Sequence, residues 1–92
     1  HFHNTRGLGL VNVLAAHDAG ARRFDAALGG LGGCPFAPGS TGNVCTEDLV
    51  NLCHEMGLAT GLELRGLIDL SCSLTGLVGH DAPGQVAKAG LA

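Results

Sequence analysis

The sequence predicts an α/β fold, and three observations carry that prediction. Apolar residues recur at helical spacing in three separate stretches. A short alternating stretch lies between the first two of them, and the chain opens on residues that read as the end of a strand. The resulting order is strand end, helix, strand, glycine loop, helix, helix, which is the βα, βα alternation of parallel strands wrapped by helices. Its 92 residues allow one small domain and exclude a self-contained large enzyme core.

Each element has its own warrant. Leu8 to Ala19 carries Leu10, Val11, Val13, Leu14 and Ala15, a wide apolar stripe, and Gly20 fits a helix stop. Arg22 to Leu28 reads as a strand, with Phe24, Ala26 and Leu28 on one face and Asp25 on the other. Six glycines and two prolines then fall within residues 29–42, which excludes regular structure there. Thr46 is a good N-cap, with Glu47 and Asp48 placed to favour the positive end of the helix dipole. Leu49, Val50, Leu52, Cys53 and Met56 form that helix's apolar face, and Gly57 ends it. A third helix is predicted from about Glu63 to Val78, with Leu64, Leu67, Ile68, Leu74 and Leu77 inward and Gly66 and Gly76 weakening it. The tail from His80 to Ala92 holds Pro83 and one helical turn.

Composition narrows the function. A net charge of −3 with five scattered basic residues argues against nucleic acid. No apolar run approaches the ~18–20 residues that cross a bilayer, so no membrane role is expected. No signal peptide is legible, and the abrupt opening on His1-Phe2-His3 suggests a piece of something longer. The cysteines Cys34, Cys45, Cys53 and Cys72 lack the close pair of a zinc site. Cys53 and Cys72 fall in helical patterns that suit buried thiols in a reducing compartment.

Three constellations could carry chemistry. On a strand, His1 and His3 project to one face and could share a cation, although structural or solvent-facing histidines fit the same pattern. The glycine loop lacks the Walker lysine and a dinucleotide fingerprint, yet it is long for a βα connection. Cys34 within it could be a thiol poised for acid–base work. Asn43 reads as a turn residue or as a hard oxygen ligand for Mg²⁺ or Mn²⁺.

These residues also match a family. His1-Phe2-His3-Asn4-Thr5-Arg6-Gly7, Phe24-Asp25, Gly30-Leu31-Gly32-Gly33-Cys34-Pro35-Phe36, Gly42-Asn43-Val44 and Thr46-Glu47-Asp48 resemble 3-hydroxy-3-methylglutaryl-CoA lyase. That family belongs to the metal-dependent lyase and synthase barrels, and the likeness covers nearly the whole chain. The resemblance implies the C-terminal part of a (β/α)8 barrel: the end of strand 7, helix 7, strand 8, the glycine loop, helix 8 and the C-terminal helices. Residues 1–7 would be the metal-binding strand end, 29–45 the active-site glycine loop and 63–92 a C-terminal helical extension. His1, His3 and Asn43 are implied as ligands of Mg²⁺ or Mn²⁺, and Cys34 as the catalytic acid or base. Gly32, Gly33 and Pro35 are implied as loop residues at the substrate.

The implied enzyme is an oxo-acid lyase cleaving 3-hydroxy-3-methylglutaryl-CoA to acetoacetate and acetyl-CoA in leucine degradation. Its partner is an acyl-CoA, and the full-length protein is expected to be a homodimer or larger. The expected location is the bacterial cytoplasm, or the mitochondrial matrix in a eukaryote. Alternatives are an aldolase or acyl-transferring synthase of the same barrel group, which lack the Gly33-Cys34-Pro35 motif, or a non-catalytic fragment. The chain departs from the animal pattern at Asn4 and Arg6, at residues 27–30 and at Phe36. It also lacks their C-terminal cysteine, so no redox switch of that kind is implied.

Overall fold

The computed structural model describes residues 1–33 and 41–90, and its helices follow the order read from the sequence. Helix α1 is Gly9–Asp18, α2 is Thr46–Glu55, α3 is Leu64–Cys72, α4 is Leu74–Val78 and α5 is Val86–Ala89. Two single 3₁₀ turns, Thr5–Gly7 and Leu28–Gly30, bracket the connections that approach the site.

Glycine ends both long helices, for one reason. After α1, Gly20 takes φ +112 and donates its N–H to His17 O, while the Ala21 N–H reaches back to Ala16 O. After α2, Gly57 takes φ +76 and donates to His54 O, while the Leu58 N–H reaches Cys53 O. These paired bonds satisfy carbonyls that the helices leave open, and they need a left-handed residue at each stop.

Helix starts depart from expectation. The N-cap position of α2 is Cys45, not Thr46, and it makes no side-chain cap bond. The Thr46 N–H is instead taken by Ala27 O at 2.9 Å. At α1, the Asn4 Oδ1 accepts the Gly9 N–H at 3.0 Å, tying the opening segment to the helix. At α3, Glu63 is the N-cap and accepts the Gly66 N–H at 2.9 Å. The Asp48 carboxylate accepts from the Gln85 and Val86 N–H groups, so it caps α5 rather than merely favouring its own helix.

The strand predicted over residues 22–28 has no ladder among the described residues. Its last part alone pairs, with Ala27 bridged in parallel to Cys45. A strand is defined by a neighbour that takes its N–H and C=O groups, and no described segment runs beside residues 22–26. The opening segment likewise makes one antiparallel bridge, His3 to Asn43. The third predicted helix is two, divided at Ser73, whose backbone N–H and hydroxyl both turn back to Leu70 O.

Two small cores result. Val13, Val44 and Leu49 pack with Phe2, Leu10 and Phe24, and Val50, Leu64 and Ile68 pack with Leu67 and Val86. Burying an aliphatic side chain of this size stabilises by about 1.5–3 kcal/mol. The expected stripes are wider than these cores cover. Val11 is 60% exposed, Leu77 80% exposed, and Leu14 and Met56 are also on the surface. Cys72, expected to be buried, is exposed at the last residue of α3, although it continues the Leu64 and Ile68 row. Among the described residues, no helix is long and apolar enough to cross a membrane.

Candidate functional site

The bridge between the opening segment and residue 43 builds the site. The Asn4 N–H donates to Gly42 O and the Val44 N–H to Phe2 O, both at 3.0 Å, so His3 and Asn43 face each other between those bonds. Such a pair places both side chains on one face, the closer kind of cross-strand pairing. His1, two residues earlier, brings its ring against that of His3, edge to face with centroids 5.1 Å apart. The three residues named from the sequence as metal ligands are therefore assembled in one place.

Hydrogen bonds fix how the rings present themselves. The His3 Nδ1–H donates to Thr41 O at 3.0 Å, since a carbonyl can only accept. The His1 Nδ1–H donates to Asp25 Oδ1 at 2.5 Å. In the neutral rings both Nε2 atoms are then left as bare lone pairs, and they stand 3.3 Å apart. Two lone pairs at that separation repel unless a proton or a cation lies between them. Binding of the far nitrogen to a carboxylate or carbonyl is the support that metal-ligating histidines ordinarily have.

Asn43 completes the set. Its Nδ2–H donates to Leu31 O at 3.0 Å, and the Asn43 backbone N–H donates to the same carbonyl at 3.2 Å. The amide oxygen, Oδ1, is buried and has no partner among the described residues. An orphaned buried oxygen on the same face as two bare imidazole nitrogens fits a hard or borderline divalent ion. No trio of His, Cys, Asp or Glu side chains does so among the described residues, so this donor set depends on the amide oxygen.

The loop residues divide. Gly32 has φ +110 and lies directly against the Asn43 amide, where a Cβ would come within 2.5 Å of Nδ2. Gly33 is exposed with φ +138. Cys34 and Pro35 lie outside the described residues.

Comparison with known proteins gives the family. The family model described as HMGL-like matches residues 1–73. The chain belongs to the HMGL-like family. A hydroxymethylglutaryl-CoA lyase of Pseudomonas mevalonii is 42% identical over 92 residues, which is 100% of this chain and 30% of that protein. An (R)-citramalyl-CoA lyase of Chloroflexus aurantiacus is 51% identical over 90 residues, 98% of this chain and 28% of that protein. The solved HMG-CoA lyase of Acinetobacter baumannii, in complex with coenzyme A and 3-methylmalate, superposes with a TM-score of 0.93 and 71% identity. It too is matched over 98% of this chain and 30% of its own. The HMGL-like chain thus spans about 30% of the length of these relatives.

Within the HMGL-like segment, two acidic residues beside these groups are not marked by the sequence reasoning. Asp25 was read as the polar side of a strand, and nothing in its spacing announces that it meets His1, 24 residues away. The sequence places Glu47 as a first-turn acid that favours the helix dipole. It is fully buried, and its Oε1 accepts the Gly29 N–H at 2.9 Å. A signal did exist, because Glu47 precedes Val50 by three residues and so shares the buried face of α2. Burial alone would raise its pKa. The Ser71 hydroxyl, the Gly29 N–H and the Cys45 thiol outweigh that and hold the carboxyl below its ordinary value. Burial, then the hydrogen bond to Glu47, pushes the Cys45 thiol far above the usual range, so it stays protonated.

Proposed function

We propose that the longer polypeptide carrying these residues is a carbon–carbon lyase that cleaves 3-hydroxy-3-methylglutaryl-CoA to acetoacetate and acetyl-CoA. The observation that supports this reading is the facing pair of bare Nε2 atoms beside the orphaned Asn43 Oδ1. His1, His3 and Asn43 would hold Mg²⁺ or Mn²⁺. When bound, the ion supplies Lewis-acid polarisation that makes a tertiary alcohol a stronger acid.

The chain's own residues do the rest. Asp25 and Thr41 O keep both Nδ1 atoms protonated and both rings aimed, so the donors are in place before substrate arrives. A base in the rest of the longer polypeptide would take the alcohol proton, and the C–O bond becomes a carbonyl as the carbon–carbon bond breaks. The electron pair leaves on the acetyl-CoA carbon, which takes a proton. Cys34, carried by the glycine loop at residues 29–45, is the proposed donor of that proton. Gly32, Gly33 and Pro35 are the proposed substrate-side residues of that loop. An acyl-CoA lyase of this kind serves leucine degradation.

The 51% identity to a citramalyl-CoA lyase favours a second reading, in which the acyl group is a different hydroxylated diacid. Both readings keep the same site and the same bond cleavage. Assay of the full-length protein with each thioester and Mg²⁺ separates them by which is turned over. Chelation should abolish turnover, and Cys34→Ala should lower it by about 10²–10⁴-fold. Cleavage of neither thioester refutes the lyase reading, and full activity in Cys34→Ala refutes the role given to that thiol.

A further inference from the structure

The peptide at Gly29 is held from both sides. Its N–H donates to the Glu47 Oε1 at 2.9 Å, and its carbonyl accepts the Gly84 N–H, also at 2.9 Å. Gly29 and Gly30 both take left-handed φ values, +69 and +77, in the turn that starts the glycine loop. The next residue, Leu31, offers the carbonyl that takes both the backbone and the side-chain N–H of Asn43. Glu47 itself lies four residues after Asn43, on the first turn of α2. One short segment thus carries both the orphaned amide oxygen and the acid that braces the backbone turning it.

A fully buried carboxylate is expensive unless its charge is used. Here Oε1 accepts the Gly29 N–H. The Ser71 hydroxyl and Cys45 thiol flank the carboxylate, and a Cβ at Gly84 would stand 3.4 Å from Oε2. A side chain at Gly29 would run into Leu74 Cδ1 at 2.6 Å, so the turn cannot simply be rebuilt with another residue. The isosteric neutral amide would also accept the Gly29 N–H. The hydrogen bond, rather than the charge, is therefore the element that sets geometry.

We propose that Glu47 is a positioning residue for Asn43: by holding the Gly29 amide it fixes Leu31 O, which in turn keeps the Asn43 Oδ1 free for a ligand. The inference rests on the metal reading above, and acts one step behind it. Glu47 touches neither ion nor substrate.

The test uses the full-length protein and compares wild type, Glu47→Gln, Glu47→Asp and Glu47→Ala. Mn²⁺ binding is measured by calorimetry, and hydrogen exchange is measured at the Gly29 backbone amide and the Asn43 side-chain amide. Glu47→Gln keeps the acceptor and should stay within about threefold of wild type in Mn²⁺ affinity. Glu47→Asp is one methylene too short and should lose about 10–100-fold, with faster exchange at both amides. Glu47→Ala should do the same, and if it fails to fold, the Gln and Asp pair still decides. Wild-type affinity and exchange in Glu47→Asp overturn the proposal, as does a loss in Glu47→Gln equal to that in Glu47→Asp. If wild type binds no Mn²⁺, the metal reading fails on its own account. The exchange comparison then judges the latch, and unchanged Asn43 exchange in Glu47→Asp overturns it.

Discussion

Replacing Gly32 by alanine should weaken metal binding, whereas the same change at a glycine of equal φ with open space around it should not. At Gly32 a Cβ would lie 2.5 Å from the Asn43 Nδ2 and 3.4 Å from Cγ, where ordinary contact begins at 3.4 Å. The amide must retreat by about 1 Å, and its 3.0 Å bond to Leu31 O cannot survive that stretch. Losing one support of a metal ligand typically costs about 10–100-fold in affinity, or about 1.4–2.7 kcal/mol. Alanine at a φ of +110 adds backbone strain of about 1–3 kcal/mol whatever it touches. Gly20→Ala isolates that strain, because Gly20 has φ +112 and nothing within 4 Å of its Cβ position. Thermal melts and Mn²⁺ calorimetry on the full-length protein would be run on both variants. Both should lower Tm, Gly32→Ala the more because it also loses the Asn43 bond, and only Gly32→Ala should lose Mn²⁺ affinity. Wild-type affinity in Gly32→Ala, or an equal loss in Gly20→Ala, refutes the reasoning.

Asp25→Ala removes the acceptor that holds the His1 Nδ1–H and aims the ring. Its Mn²⁺ affinity should fall about 10–100-fold with little change in Tm, since the Asp25 side chain is 68% exposed; unchanged affinity would remove Asp25 from the site. Glu47 sets a pH dependence of stability. Its folded pKa lies below the ordinary 4.5, so its contribution is complete above that value and is lost as pH falls through the folded value. Melts of wild type and Glu47→Gln from pH 7 downward should converge in slope above 4.5 and separate below it, with the wild type falling more steeply. Parallel profiles across that range would show that the carboxylate is not held in its charged form.

Helix positions were legible because they follow local rules. Apolar spacing marked 46–55, and Gly20 and Gly57 marked two ends, since only a residue at ease in the left-handed region closes a helix that way. The division at Ser73 was not legible, because the apolar period runs straight across it. The exposure of Val11 and Leu77 was equally hidden. Periodicity reports which face is apolar, and only neighbours determine whether that face is covered.

His1, His3 and Asn43 were named as ligands from residue type, spacing and resemblance. What spacing cannot contain is the partner of each ring across 24 or 38 residues, which depends on how the opening segment docks beside residue 43. Glu47 shows the limit most clearly. Local rules explain an acid in the first turn of a helix by the dipole alone, and that explanation is complete without burial.

The sequence by itself determined the helix order, the glycine-rich connection and the candidate ligand set, because each follows from local propensity or from residue chemistry. Tertiary structure alone decided that Asp25 supports His1, that Leu31 O frees the Asn43 oxygen and that Glu47 is buried against Gly29. These are contacts between distant segments. Their energies arise from desolvation and from hydrogen bonds that exist only once the chain has brought the groups together.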